Sequence, residues 1–424
     1  MEYKKRIADT LLKDELDAMG AVLIEGPKAC GKTTTGEQQA GSVIYIDDPE
    51  QRGQYESLAQ TNIRKLLDGQ TPRLLDEWQL IPRLWDAVRF EVDHRDGDGL
   101  FILTGSAVPP DQSELTHSGT GRFGRIKMRP MTLWESGDST GEVSLEKLFD
   151  SMQHVIGNNN FDLDKIAYLT CRGGWPKALE KKSEKAALRQ AENYFNSIVN
   201  YDLSRVDKIK REPERTERIM RSYARLQGTH ASLKAISEDI SINDRENVSD
   251  ETISSYLSAL RKIFVIEDMK AWNPNLKSKT AIRTSDTRYY IDPSIGVAAL
   301  GLGPNDLIND MKTFGLFFES LCIRDLRVYT DLLGGQVYHY RDKNGLECDA
   351  VIHLKNGKYG LVEIKMGGDR NIEEASANLL KLSSIIDTSK QNGPSFKMVL
   401  IGVGQYAYTR PDGVHVVPIG CLKN

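Results

Sequence analysis

A glycine-rich segment near the amino terminus contains residue types that bind phosphate. Residues 26–33 read G-P-K-A-C-G-K-T and fit the pattern G-x-x-x-x-G-K-S/T. The apolar run 21–24 precedes this segment, and the helix-compatible stretch 34–39 follows it. Glycines let backbone N–H groups approach phosphate oxygens, and the amino terminus of a helix adds partial positive charge. The arrangement predicts a site for a nucleoside triphosphate.

Two residues of the segment have specific expected roles. Lys32 would bind the β- and γ-phosphates of ATP, and Thr33 would bind Mg²⁺ through its hydroxyl. The other residues, except Pro27, which has no backbone N–H, would place backbone N–H groups around the phosphates. The predicted nucleotide-binding residues are Gly26, Pro27, Lys28, Ala29, Cys30, Gly31, Lys32, Thr33 and Thr34.

Two carboxylates follow a second apolar run, which is the Walker B pattern. Asp76 would bind Mg²⁺, and Glu77 would orient or deprotonate the attacking water. A third predicted strand, 100–103, leads to Thr104. The Thr104 hydroxyl suits either a sensor of the γ-phosphate or a cap of its own turn, and local sequence does not choose between them. Together these residues predict an ATP-hydrolysing core.

The glycine-rich stretch 119–125 contains two arginines, Arg122 and Arg125. Either one could be an arginine finger, which stabilises the charge that develops during phosphoryl transfer. A surface loop with solvated cations would show the same sequence. The residues alone leave both interpretations open.

Several motifs make the chain resemble a known family. They are Asp76–Gln79, Ile81–Arg89, Leu103–Ala107, Gly121–Arg122, Pro130–Glu135, Gly173–Pro176 and Tyr201–Asp207. The chain resembles, over essentially its whole length, the prokaryotic AAA-type ATPases that carry domain of unknown function 4143 at their carboxyl end. The resemblance implies an AAA core with a helical lid and a carboxyl-terminal module similar to PD-(D/E)XK nucleases. It also implies that Arg122 acts in trans within a homo-oligomer, with Arg125 as the reserve candidate.

A second group of chemistry-bearing residues lies near the carboxyl end. Asp349 precedes a turn at 356–357, and Glu363 and Lys365 follow it. Alternate residues of a strand share a face, so Glu363 and Lys365 would project together, with Asp349 alongside in a hairpin. The two carboxylates, Asp349 and Glu363, would hold Mg²⁺ or Mn²⁺. Lys365 would then position the nucleophilic water or stabilise negative charge.

Further acids and an alternative belong to this second group. The resemblance adds Glu319, on a helix expected at 314–326, and Glu347 lies two residues before Asp349. The group is therefore a candidate second divalent-metal site that acts on DNA. Solvated charges on an edge strand would give the same local pattern.

The fold class that these patterns predict is α/β with four parts. We expect a P-loop ATPase core at 1–135, a helical lid at 136–212, a winged-helix-like domain at 213–275 and a PD-(D/E)XK-like domain at 276–424. In the third part, helices at 232–240 and 248–260 would precede a wing strand at 264–269. The second of these helices begins with acidic residues, which repel phosphate. These residues favour packing between domains over contact with DNA, and both interpretations stay open.

Composition limits the class of protein. The 424 residues carry a net charge of −4, with 39% hydrophobic and 27% charged residues, as in ordinary globular proteins. This charge argues against a strongly basic nucleic-acid binder, although a local patch remains compatible with it. Five cysteines without C-x-x-C spacing favour a reducing cytoplasm. No apolar run approaches the roughly 18 residues of a membrane span, so we expect no membrane insertion.

Two functional interpretations follow. In the first, ATP turnover drives a metal-dependent nuclease that acts on DNA. In the second, the chain is a nucleotide-controlled switch or scaffold, and its carboxyl-terminal domain binds a partner without catalysis.

Overall fold

The computed structural model describes residues 3–106, 119–150, 154–207, 209–277 and 282–424. Ala107, which belongs to one of the family motifs, lies outside these residues. The chain divides into two compact units, and each is described by itself. The first contains Met1–Pro130, Ile198–Glu212 and Ser258–Val265, and the second contains Met131–Ser197, Pro213–Leu257 and Ile266–Asn424. The four-part division expected from the sequence stays a prediction.

The first unit contains a parallel sheet of five strands. The strand order is β2-β3-β4-β1-β5, and all neighbouring pairs are parallel. The strands are β1 (Ala21–Glu25), β2 (Ser42–Tyr45), β3 (Arg73–Asp76), β4 (Phe101–Gly105) and β5 (Phe123–Lys127). Helices α1 (Ile7–Leu16), α2 (Lys32–Glu37), α3 (Arg52–Thr61) and α4 (Leu84–His94) alternate with them, together with 3₁₀ turns Ile63–Leu67 and Trp78–Leu80. The expected parallel α/β arrangement is confirmed.

Both faces of this sheet are buried, which explains why its strands read as continuous apolar runs. Leu23 and Leu103 face one apolar cluster, which includes Trp85. Val22 and Ile102 face the other cluster, on the α1 side of the sheet. Because the strands are parallel, their carboxyl ends meet at one edge, and β4 lies between β1 and β3 there.

The second unit contains a mixed sheet of seven strands in the order β7-β12-β13-β11-β10-β9-β8 and a two-stranded sheet, β14-β6. The strands are β6 (Val143–Ser144), β7 (Gly157–Asn158), β8 (Gly335–Arg341), β9 (Glu347–Leu354), β10 (Tyr359–Lys365), β11 (Phe396–Ile401), β12 (Tyr406–Thr409), β13 (His415–Pro418) and β14 (Leu422–Lys423). Strands β8, β9 and β10 are antiparallel, whereas β10 and β11 are parallel.

The helices of this unit precede and flank the seven-stranded sheet. They are α5 (Leu133–Ser136), α6 (Leu145–Phe149), α7 (Leu163–Arg172), α8 (Pro176–Leu179), α9 (Glu184–Ser197), α10 (Pro213–Arg225), α11 (Leu233–Asp244), α12 (Asp250–Lys262), α13 (Pro293–Leu300), α14 (Pro304–Asn309), α15 (Met311–Leu332) and α16 (Asp369–Ile385). The carboxyl-terminal part of α12 belongs to the first unit. In the part of the chain that the structure describes, no helix is both long and apolar enough to cross a membrane.

The expected wing strand at 264–269 is wrong. Helices α11 and α12 form where the sequence predicts them, but no continuous strand follows. Instead, isolated bridges join Ile266 to Tyr290 and Met269 to Thr287. The winged-helix interpretation therefore stays a prediction without its characteristic hairpin.

A buried ion-pair triad holds the second unit together. Arg324 of α15 donates to Asp292 at 2.8 Å and to Asp325 at 2.7 Å. Asp292 also accepts from the Gly174 N–H at 3.0 Å, and Asp325 accepts from the Leu133 N–H at 2.9 Å. Burial raises the pKa of Asp325 to about 6, although Arg324 opposes this. Through these two carboxylates, Arg324 connects α15 with the first residue of α5, the turn before α8 and the residue before α13.

We expect Arg324→Met to destabilise the second unit by about 3–5 kcal/mol, because it leaves two buried carboxylates without a cation. The free energy of unfolding in urea measures this effect. Arg52→Met, which removes an exposed ion pair with Glu56, is the control and should change the value by less than about 0.5 kcal/mol. An Arg324→Met protein as stable as the control would contradict the importance of the triad.

Candidate functional site

The phosphate-binding loop connects β1 to α2 at the carboxyl edge of the parallel sheet. Ala29 and Gly31 adopt left-handed backbone angles, with φ of 60° and 104°. Gly26 is packed so closely that a Cβ there would lie 2.1 Å from the Met128 carbonyl oxygen. Turns of this kind are typical of anion-binding backbone concavities. The loop therefore has the conformation that its glycines predict.

Residues before α1 brace this loop. The buried guanidinium of Arg6 donates to the Cys30 carbonyl at 2.9 Å and to the Arg129 carbonyl at 2.8 Å. The Tyr3 hydroxyl lies 3.0 Å from the Thr35 hydroxyl. Sequence reasoning missed Arg6 and Tyr3, because neither belongs to a recognisable motif.

Lys32 is enclosed by its own loop. Its side chain is only 5% exposed, and its ammonium donates to the carbonyls of Gly26 at 3.0 Å and Pro27 at 2.8 Å. A buried ammonium is stable only with such partners. The cation is therefore held inside the loop, where its expected role requires it.

Asp76 joins the loop to two strands. Its carboxylate accepts from Thr33 at 2.7 Å and also from Thr104 on β4. The Thr104 hydroxyl in turn accepts from the Glu77 N–H at 3.3 Å. Burial raises the pKa of Asp76, and the two hydroxyl donors oppose this. Thr104 thus binds the neighbouring strand rather than capping its own turn, and its sensor role stays a prediction.

Glu77 is held in an unusual conformation directly after β3. Its φ of 55° is left-handed, which is uncommon for a residue with a side chain and concentrates at functional sites. Its carboxylate accepts from Ser106 at 3.2 Å and from the Gln79 amide. The strained backbone and the two donors fix the direction of this carboxylate. Gln79 and Ser106 are functional candidates that only the structure identifies.

Arg122 lies at the amino-terminal end of the parallel strands, whereas the phosphate-binding loop of its own chain lies at their carboxyl-terminal end. Its carbonyl accepts from the N–H of Ala21, the first residue of β1, whereas the loop follows the last residue of that strand. Five residues of strand span roughly 16 Å, which exceeds the reach of an arginine side chain. Its guanidinium pairs with Asp93 at 2.8 Å and lowers the pKa of that carboxyl. A role in the ATP site of its own chain is excluded, and a role in trans stays a prediction.

Arg125 lies within β5, opposite Leu23 of β1. Its guanidinium is 3.4 Å from the Glu25 carboxylate and 5.5 Å from the centre of the Trp85 ring. These contacts give Arg125 partners within its own unit.

The predicted carboxyl-terminal residues also come together. The Lys365 ammonium on β10 lies 3.0 Å from the Asp349 carboxylate on β9 and 2.8 Å from the Glu363 carboxylate. Asp349 accepts a further bond, at 2.7 Å, from the Ile364 N–H. One ammonium thus joins two carboxylates on adjoining strands, as the hairpin predicts.

A β-bulge in β9 lies at or beside Asp349. Between the pairs Tyr338–Val351 and Tyr340–Cys348, β9 contains one residue more than β8. The extra residue falls at Asp349 or its neighbour. Bulges often lie next to active sites, where they change the direction of a side chain. Hydrophobic alternation gives no sign of such an insertion.

Neighbouring elements add partners to the cluster. Asn378 of α16 donates to Glu363 at 2.7 Å, and the Tyr289 hydroxyl donates to Glu319 of α15. Sequence reasoning missed both donors. The Glu347 carboxylate pairs with Arg341 at 2.8 Å, and its role in the site stays a prediction.

The cluster is crowded with negative charge. Burial and the Asp349 charge raise the pKa values of Glu319 and Glu363 to about 8. Burial alone would lower the pKa of Lys365, but the charges of Asp349 and Glu363 raise it above its ordinary value. Among the described residues, no group of three or more His, Cys, Asp or Glu side chains is arranged to hold a metal ion. The Lys365 ammonium contacts two of the acids, Asp349 and Glu363, and offsets part of their charge.

We expect stability to depend on pH through this cluster. The pKa values of Glu319 and Glu363 lie above their ordinary 4.5, so the folded state binds protons more tightly than the unfolded state. The free energy of unfolding should therefore fall as the pH rises from about 4.5 to about 8. Asp349→Asn removes the like charge and should weaken this dependence. Urea denaturation at several pH values checks it.

The control for this experiment is Asp150→Asn, which removes an exposed carboxylate that pairs with Lys358. It should leave the slope of stability against pH unchanged. Equal slopes for Asp349→Asn and the unmodified protein would contradict the charge coupling.

Comparisons with known proteins match three domain families to parts of this chain. An AAA domain matches residues 19–136, a domain of unknown function (DUF8612) matches 163–306, and another (DUF4143) matches 314–422. Uncharacterized proteins of Mycobacterium bovis and Mycobacterium tuberculosis are each 22% identical over 424 residues, which cover 99% of this chain and 84% of the relative.

Among solved structures, a Walker-type ATPase of Pyrococcus abyssi is 12% identical with a TM-score of 0.43, covering 70% of this chain and 96% of that one. The ORC2 protein of Aeropyrum pernix is 12% identical with a TM-score of 0.26, covering 62% of this chain and 86% of that one. The matches to the AAA and DUF4143 families confirm the combination of domains that the sequence motifs indicate. This chain carries an AAA domain at residues 19–136 and a DUF4143 domain at residues 314–422.

Proposed function

We propose that this protein is a Mg²⁺-dependent ATPase whose catalytic residues lie in the first unit. The observation that carries the proposal is the hydrogen bond between Thr33 and Asp76, which brings the phosphate-binding loop and the end of β3 together. Lys32, inside the loop, supplies a positive charge to the β- and γ-phosphates.

The residues fit a Mg²⁺ ion by donor type. Mg²⁺ prefers oxygen ligands, and the Thr33 hydroxyl and the Asp76 carboxylate are both available at the carboxyl edge of the sheet. Bound there, the ion would neutralise charge on the phosphates. It would also favour the ionised form of Asp76, whose burial otherwise favours the protonated form.

Glu77 is the residue that we assign to the attacking water. Water adds to the γ-phosphorus, the bond to the β-phosphate bridging oxygen breaks, and ADP and phosphate leave. Glu77 orients the water and accepts its proton. Ser106 and Gln79 hold the Glu77 carboxylate in one orientation, so little reorganisation is needed during the reaction.

We expect Glu77→Gln to lower ATP turnover about 100-fold or more while the dissociation constant for ATP changes by less than about threefold. Lys32→Ala should lose both binding and turnover, because it removes the phosphate-binding cation. Phosphate release and calorimetric titration measure the two quantities. Glu56→Gln, on the exposed face of α3, is the control. Undiminished turnover in Glu77→Gln would remove that residue from the mechanism.

A second activity is proposed for the second unit, namely metal-dependent hydrolysis of DNA phosphodiester bonds. Three features support it: the convergence of Asp349, Glu363 and Lys365, the β-bulge at Asp349, and the donor from Asn378 that orients Glu363. Asp349 and Glu363 would hold Mg²⁺ or Mn²⁺, which lowers the pKa of a bound water. Lys365 would donate to a phosphate oxygen as the ester bond breaks.

One observation favours the alternative, in which this domain binds a partner without catalysis. The Lys365 ammonium already contacts both carboxylates, and the described residues contain no three-ligand metal group. A cation that binds both carboxylates must share them with this ammonium. Nuclease activity therefore depends on whether a metal competes with Lys365.

We expect Asp349→Ala and Lys365→Ala to abolish Mn²⁺-dependent cutting of DNA while ATP turnover stays within about twofold. Single-stranded, duplex and branched substrates should be compared with and without ATP. Lys358→Ala, at the turn end of β10, removes a cation outside the cluster and should not affect cutting. If no substrate is cut and calorimetry detects no metal binding that Asp349→Ala removes, the partner-binding alternative replaces the nuclease.

A further inference from the structure

An ion pair connects the phosphate-binding loop to a distant part of the first unit. The Nζ of Lys28 lies 2.6 Å from a carboxylate oxygen of Asp202. The Lys28 side chain is 50% exposed, whereas the Asp202 side chain is only 13% exposed. The cation is therefore accessible to a ligand at the loop, and its partner is held by the protein.

Asp202 lies on an anchored segment. It ends the π-helical turn Ile198–Asp202, and the buried side chain of Leu203 follows it. Arg211 donates to the Leu203 carbonyl at 3.1 Å and to both carboxylate oxygens of Asp207 at 2.7 and 2.8 Å. These bonds fix the backbone on the carboxyl side of Asp202, so its carboxylate occupies a defined position. π-helical turns are rare and often occur at functional sites.

Lys28 is the residue directly after Pro27, whose carbonyl accepts a hydrogen bond from Lys32. The Lys32 ammonium is 2.8 Å from the Pro27 carbonyl. If Lys32 binds the β- and γ-phosphates, the backbone of Lys28 lies beside the terminal phosphate. Its long side chain can then exchange the Asp202 carboxylate for a phosphate oxygen.

We propose that Lys28 binds the terminal phosphate of the nucleoside triphosphate and that Asp202 is a positioning residue that competes for this cation. The proposal rests on the nucleotide site proposed above. Exposed ion pairs are weak, so the more highly charged triphosphate can displace the carboxylate. A diphosphate lacks the group that Lys28 would contact. Lys28 therefore makes the site selective for ATP over ADP, and Asp202 moderates that selectivity.

The test compares the dissociation constants of ADP and of the β,γ-imido analogue of ATP, measured by calorimetry on the full chain with Mg²⁺. Lys28→Met should weaken the analogue about tenfold, which is the loss of one charge-assisted contact, and should change ADP by less than about twofold. Lys28→Arg keeps the cation and should retain most of the selectivity. Glu56→Gln is the control for loss of an exposed ion pair and should change neither constant.

Asp202→Asn provides the second, independent variant. Because it removes the competing carboxylate, the analogue should bind about threefold more tightly, while ADP changes less than the analogue. The gain should shrink at high salt, since the half-exposed Lys28 ammonium is accessible to screening ions. A purely structural role for Asp202 predicts the opposite, that both nucleotides bind more weakly.

The outcomes separate this inference from the proposed function. If the unmodified chain binds neither nucleotide, the nucleotide site itself is wrong. If it binds both, and Lys32→Ala loses both, but Lys28→Met changes both constants equally or not at all, only the role of Lys28 is overturned. Weaker analogue binding in Asp202→Asn overturns the competition. Should Lys28→Met fail to fold, Lys28→Gln replaces it in the same comparison.

Discussion

One buried carboxylate, Asp76, is the interaction on which the nucleotide site depends. It lies at the end of β3, accepts from Thr33 of the phosphate-binding loop, and accepts from Thr104 of β4. Three segments far apart in sequence are thereby held at one edge of the sheet. A buried acid is costly unless it has donors, so the two hydroxyls stabilise the group that they surround. Directly after Asp76, Glu77 adopts a left-handed backbone conformation.

The phosphate-binding sites proposed for the two units differ in their chemistry. The loop in the first unit offers backbone groups and one enclosed lysine, Lys32, which donates to the carbonyls of Gly26 and Pro27. The site proposed in the second unit consists of side chains, in which Lys365 contacts both Asp349 and Glu363. Backbone geometry changes little on binding, whereas a side-chain ion pair must rearrange before a metal can bind. This difference makes the ATPase activity the better supported of the two proposals.

The failures of sequence reasoning have identifiable physical reasons. The stretch 264–269 has the composition of a strand but finds only isolated bridging partners. Glu347 lies two residues before Asp349, which predicts a shared face, but the strand contains a bulge and the two carboxylates pair with different cations, Arg341 and Lys365. Strand composition and period-two spacing are local signals, whereas pairing and bulges depend on the neighbouring strand.

By itself, the sequence determined the phosphate-binding loop, the carboxylates after β3, the parallel sheet around them and the hairpin that brings Asp349 near Lys365. These features are local, since glycine positions, apolar runs and strand periodicity specify them within a few residues. Only the tertiary structure decided that Arg6 braces the loop, that Asn378 orients Glu363 and that Asp202 pairs with Lys28. Each of these contacts joins residues on different elements of the fold. The packing of those elements, which no local pattern encodes, sets which side chains meet.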